Sequence, residues 1–187
     1  VWTPGGWAAL LVVAAVLLVG WYLTFSATRL DRLHARLEGA RSALDAQLVR
    51  RASVALQIAA AGRLDPATGL LLADAASEAR EADESDQSTR ELAESDLTRA
   101  LRAAFDAETV GALREDAVGR EMLHELAAAC LRVQLARRFH NDVVRSARVV
   151  RSKRVVRYLR LAGHAPWPQT FEMSDTPPDT LAGAAGV

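Results

Sequence analysis

From Trp7 to Phe25 the chain carries no charged side chain: WAALLVVAAVLLVGWYLTF. At 1.5 Å per residue, a helix of about 19 residues crosses the ~30 Å hydrocarbon layer of a bilayer. A domain this small offers no core in which such a helix could be enclosed on every side. Trp2 and Trp7 stand at one end, and Trp21 and Tyr22 near the other. Amphipathic rings at both ends are the expected interfacial anchors. After Ser26 the character changes: Arg29, Asp31, Arg32, Arg36, Glu38 and Arg41 follow in quick succession. The expected organisation is a short tail over 1–6, a transmembrane helix over 7–25 and a water-soluble remainder. A cleaved signal peptide is the competing reading, with a weak cleavage site at Phe25-Ser26-Ala27, but residues 1–6 lack the basic region that precedes such signals. A buried core helix is the third.

Arginines set the expected orientation. Arg29, Arg32, Arg36 and Arg41 lie on the C-terminal flank and no arginine on the N-terminal one. Positive charge stays on the cytoplasmic side, so the large domain is expected inside the cell membrane and the N-terminus outside. The single cysteine, Cys130, can form no intramolecular disulfide, which suits a reducing compartment.

Lys and Arg number 23, as do Asp and Glu. Net charge therefore points to no polyanionic partner, and no nucleic acid is expected. The distribution is uneven. Residues 74–96 are acidic, and 132–160 are basic apart from Asp142. Such blocks serve as interaction devices or as two exposed faces that attract each other. Ala, Leu, Arg and Glu dominate after the apolar stretch, and Pro66 is the one proline between Phe25 and Gly163. Those residues lose little on entering a helix, so the expected class is all-α.

Leu30, Leu33, Leu37, Ala40 and Leu44 keep a three-four spacing, the seam of a bundled helix continuous with the apolar one. Strict continuation puts Gln47 and Arg51 on the seam, whereas the apolar stripe steps to Leu48, Ala52, Ala55 and Ala59. Gly62 is a candidate C′ residue, and Asp65-Pro66 reads as an N-cap with proline at the first helical position. A second helix is expected over about 66–83, with Leu71, Ala75 and Ala79 inward. Ser88 with Glu91 reads as a capping box for a third, bearing Leu92, Leu97, Leu101 and Phe105. A fourth is expected from about 110 to 150, along Met122, Leu126, Ala129, Val133, Ala136, His140, Val143, Ala147 and Val150. Two long helices and a shorter hairpin, joined by short loops, make an antiparallel bundle over 26–163. A Pro/aromatic segment over 164–173 and a disordered tail over 174–187 complete the chain.

Three runs look familiar. Leu44-Asp45-Ala46-Gln47-Leu48-Val49-Arg50-Arg51 resembles the I-D-V-Q-L-K-R-R run of the LemA family. Ala136-Arg137-Arg138-Phe139-His140-Asn141-Asp142-Val143-Val144 is similar to its A-R-R-R-Y-N-x-x-V run, with His140 in place of the tyrosine. Ala165-Pro166-Trp167-Pro168-Gln169-Thr170-Phe171 looks like its F-x-P-x-P-x-x-F/Y ending. The resemblance covers about residues 5–173 and implies a helical bundle on an N-terminal membrane helix, with no enzymatic activity common to the family.

Asp45, Gln47, Arg50, Arg51, Arg137, Arg138 and Asn141 are the polar residues of these runs. Forked arginine donors bridge helices through carboxylates and amides, or hold a phosphate or carboxylate ligand. An antiparallel register places residue x of helix one near residue 174 − x of helix four, to within about four residues. Arg50 and Arg51 are then expected near Glu121 and Glu125, Arg137 near Glu38, and His34 beside His140. Two histidines with Glu38 fall short of a zinc set, and no metal-binding, phosphate-loop or nucleophile motif occurs. No cofactor is expected. Arg151, Lys153, Arg154, Arg157 and Arg160 form a basic stretch suited to anionic headgroups at about 1 kcal/mol each. The combined reading is a single-span, non-enzymatic scaffold with a membrane-protein partner or a second copy of itself. A ligand-responsive sensor using the inter-helix arginines is the alternative.

Overall fold

With so little proline, the chain forms long helices. The computed structural model describes residues 4–83, 86–152 and 167–181. They form α1 (Pro4–Ala60), α2 (Pro66–Glu81), α3 (Gln87–Ala104), α4 (Ala107–Arg114) and α5 (Ala117–Arg151), with a 3-10 turn at Asp179–Leu181. No strand occurs among the described residues. Among them, too, no helix is long and apolar enough to cross a membrane. Ala8, Ala9 and Leu23 of the uncharged stretch have side chains outside the described set.

Contacts divide the chain into two units, Val1–Gly39 with Val143–Pro168, and Ala40–Asp142 with Gln169–Val187. In the first unit, the described large side chains of the apolar stretch are all exposed, among them Leu11 at 70%, Leu17 at 68% and Trp21 at 72%. Thr24 and Thr28 donate their hydroxyls to the carbonyls of Gly20 and Thr24, each at 2.9 Å. Val144 and Ala147 are buried. Arg148 Nε donates to Pro168 O at 2.8 Å, and the Arg151 guanidinium lies 5.2 Å from the centre of the Trp167 ring.

The second unit is a helical bundle. Gly62 ends α1 with φ of 66°, and Asp65 caps α2 by accepting from Ala67 N and Thr68 N at 3.1 Å, both as expected. The cap of α3 differs: Asp86, not Ser88, accepts from Ser88 N at 3.1 Å and Thr89 N at 3.3 Å. A carboxylate is the stronger acceptor and also suits the positive end of the helix dipole. The expected helix over 110–150 is broken into α4 and α5. Asp106 caps α4 through Thr109 N and Asp116 receives Gly119 N, each at 2.8 Å. The corner is tight, because a Cβ at Gly119 would collide with the carbonyl oxygen of Leu113.

Helices α1 and α5 pair antiparallel. Arg63 bonds Asp116, Arg50 bonds Glu125, and Leu44 and Leu48 pack with Val133, so one number falls as the other rises. Helix α3 runs parallel to α1, as Asp45 pairs with Arg90 and Arg51 with Glu94. Both candidate stripes of α1 are inside: Arg51 lies on the strict seam and Ala52 and Ala55 on the stepped one, and all three are buried. The helix has neighbours on two sides, which explains why neither stripe alone accounts for it. On α2 the expected Leu71 is 68% exposed and Leu72 and Ala76 are buried instead, while the expected Ala79 is buried and Ala75 packs half-buried against the core. On α3, Leu92 points out while Leu97, Leu101 and Phe105 point in.

The tail expected to be disordered from 174 is packed as far as 181. Leu181 is 2% exposed in the main core, and Thr180 Oγ1 donates to Phe105 O at 2.6 Å. Two buried residues, Pro178 and Leu181, hold a segment whose composition is otherwise polar. Residues 182–187 lie outside the described residues, as do Trp2, Lys153, Arg154, Arg157 and Arg160.

Candidate functional site

Helix α3 carries its polar residues on its inner face. Arg90, Glu94 and Thr98 are spaced by four and share that face with Leu97 and Leu101, all of them buried. Arg51 of α1 meets Glu94 at 2.5 Å, and both side chains are about 2% exposed or less. Arg51 also donates to Glu94 O and to Thr98 Oγ1, each at 3.0 Å. One turn away, Arg90 pairs with Asp45. Two guanidinium and two carboxylate groups thus neutralise each other inside the bundle. Burial pushes the Glu94 carboxyl up, against the opposing pull of Arg51. Cys130, also buried, has its thiol pushed up by burial, so the thiolate a nucleophile needs is disfavoured.

These contacts redistribute the expected polar residues. Arg50 reaches Glu125 at 3.1 Å, within the expected register. Arg51 does not face Glu121 or Glu125. Successive residues on a helix are turned by about 100°, so neighbours in sequence address different partners. Gln47 is half-buried, with Oε1 buried and no hydrogen-bond partner. Arg138 is exposed. Arg137 and Asn141 hold the C-terminal segment rather than another helix.

That segment, residues 169–175, lies between α3 and α5 in an extended rhythm. On the α3 side, Gln87 Nε2 donates to Thr170 O at 2.7 Å, Glu91 accepts from Glu172 N at 2.8 Å, and Ser95 accepts from Ser174 N at 3.1 Å. The helix advances four residues, about 6 Å, for each two of the segment, about 6.6 Å. One helical turn therefore matches one extended two-residue repeat. On the α5 side, Asn141 grips the main chain of one residue twice, donating to Phe171 O at 3.1 Å and accepting from Phe171 N at 2.8 Å. Arg137 Nε donates to Asp175 at 2.8 Å and Gln134 Nε2 to Asp175 O at 2.9 Å. The side chains of Phe171 and Met173 face inward, onto Leu44, Leu48, Val133 and Ala136, while Glu172 and Ser174 are exposed. Sequence spacing offered one signal for this: Phe171, Met173 and Leu181 are isolated apolar residues in a polar tail. For Arg90 and Glu94 the signal was their spacing with Leu97 and Leu101, masked by the acidic character of the whole stretch.

His140 is 6% exposed. Burial lowers its pKa, a backbone hydrogen bond with Gln169 opposes that, and Arg41 adds to the lowering. Its ordinary value is 6.5, so on acidification the unfolded chain takes up the proton first. This contribution to stability is complete above that value and is lost as pH falls towards the lower folded one. Urea midpoints should therefore drop from neutral pH to mildly acid pH, and His140→Gln should flatten that drop.

Among the described residues, no group of three or more His, Cys, Asp or Glu is placed to hold a metal. No family model, curated protein or solved structure matches the chain.

Proposed function

We propose that the chain is a membrane-anchored scaffold of LemA type, in which residues 7–25 enter the bilayer and the helical bundle binds partners beside it. The observation that carries this reading is the collar of exposed apolar side chains on α1, from Leu10 to Tyr22 and again at Phe25. An exposed apolar surface of this extent marks a membrane or protein contact. The threonine hydroxyls of this helix bond back to its own carbonyls, the arrangement that suits a hydrocarbon surround. Trp7, Trp21 and Tyr22 are exposed and suit the two interfaces. Residues 151–160 supply basic side chains for anionic headgroups.

A scaffold is favoured over an anion sensor because the buried arginines already have counter-charges. Glu94 counters the charge of Arg51 and Asp45 that of Arg90, which argues against an external anion there, although the buried Nε of each arginine has no hydrogen-bond partner. The four arginines that follow the apolar stretch support a bundle on the cytoplasmic side, where positive charge is retained. A tag after Val187 should survive protease treatment of intact cells and be lost once they are permeabilised. Loss of the tag before permeabilisation would overturn the orientation.

A further inference from the structure

The groove between α3 and α5 treats residues 169–175 as a ligand. Most of its polar contacts go to the segment's main chain: Gln87 to Thr170 O, Glu91 to Glu172 N, Ser95 to Ser174 N, and Asn141 to both groups of Phe171. Main-chain bonds supply affinity for an extended peptide, and alternate side chains supply selectivity. Selectivity here comes from Phe171 against Leu44, Leu48 and Val133, and from Asp175 on Arg137. Fifteen residues, 152–166, separate Arg151 from Trp167 in the sequence. Fully extended, those residues reach about 50 Å, far enough to carry the segment to a neighbour.

We propose that this groove is a homotypic docking site, which takes residues 169–175 from a second copy of the chain in exchange for its own. The contacts are the same in either arrangement, so the exchange costs no complementarity; it is governed by the competition between tethered and free segments. The inference concerns the bundle unit and stands whether or not residues 7–25 enter a bilayer.

The test uses the full chain and a fluorescent peptide of residues 167–181. In the wild-type chain the tethered segment competes at an effective concentration of about millimolar, so the peptide should bind weakly. Phe171→Ala in the chain removes the tethered anchor, and peptide binding should tighten about tenfold or more. Asp175→Asn weakens the tethered segment from its other end and should tighten binding in the same direction, which covers the case in which the first variant folds poorly. Asn141→Ala added to either should abolish binding. Mixing differently tagged chains, one carrying Gln134→Cys and the other Asp175→Cys, should give a disulfide-linked mixed dimer. Equal binding by wild type and both segment variants, or no binding to any, would overturn the groove as a docking site. Peptide binding without mixed dimer would overturn exchange between copies.

Discussion

Arg51→Ala should destabilise the bundle by about 3–5 kcal/mol, the cost of leaving a buried charge without its partner. Glu94 would remain, its side chain 1% exposed, with no cation at 2.5 Å. Thr98 would lose its donor as well. Glu94→Ala should cost a similar amount by orphaning Arg51. Replacing both by apolar residues of matched volume, Arg51→Met with Glu94→Leu, should restore much of the loss, because a packed apolar pair carries no desolvation cost. The contrast is Arg50 with Glu125. Their side chains are 55% and 39% exposed, so a double-mutant cycle should return about 0–1 kcal/mol. Urea unfolding at neutral pH measures all of these. Equal effects at positions 50 and 51 would contradict the burial that separates them.

Phe171→Ala should release the C-terminal segment at a cost of about 3 kcal/mol, that of taking a buried aromatic from its apolar contacts. Phe171 is 7% exposed against Leu44, Leu48 and Val133. Asn141→Ala acts on the same contact from the other side, leaving the Phe171 N–H unpaired at about 1–3 kcal/mol and its C=O with only the long bond from Arg137 at 3.5 Å. The loss should be local. Amide exchange should quicken over 169–175 while the hydrogen bonds of α1 and α5 stay protected. Uniform loss of protection through both helices would mean that the segment is part of the global core.

Periodicity and capping chemistry made much of the bundle legible. The all-α class, the Gly62 stop, the Asp65-Pro66 start and the Arg50–Glu125 register each follow from a local rule. The break at Asp116 is not legible, since the apolar seam read for that helix begins only at Met122, beyond it; the Asp116 cap and the fit of Gly119 against Leu113 reveal the corner. The sequence marks Arg51 but not its partner Glu94. An acid on the inner face of α3 cannot be told by composition from the exposed acids beside it. Asn141 and Arg137 stood out as residues of a helix motif, yet their partners lie in a tail that composition assigns to disorder. Side-chain bonds to an extended main chain leave almost no trace in the residue pattern of the segment they hold.

The proposed anchoring of the chain by residues 7–25 is tested on membranes from cells expressing the full chain, washed in alkaline carbonate. The wild-type chain should stay in the pellet. The full chain carrying Leu11→Arg and Leu17→Arg should move to the supernatant with its bundle helicity intact, since each charge placed in mid-bilayer costs about 2.5–3.5 kcal/mol. A wild-type chain that the wash extracts would contradict the anchor and leave the exposed apolar collar as a surface for another protein.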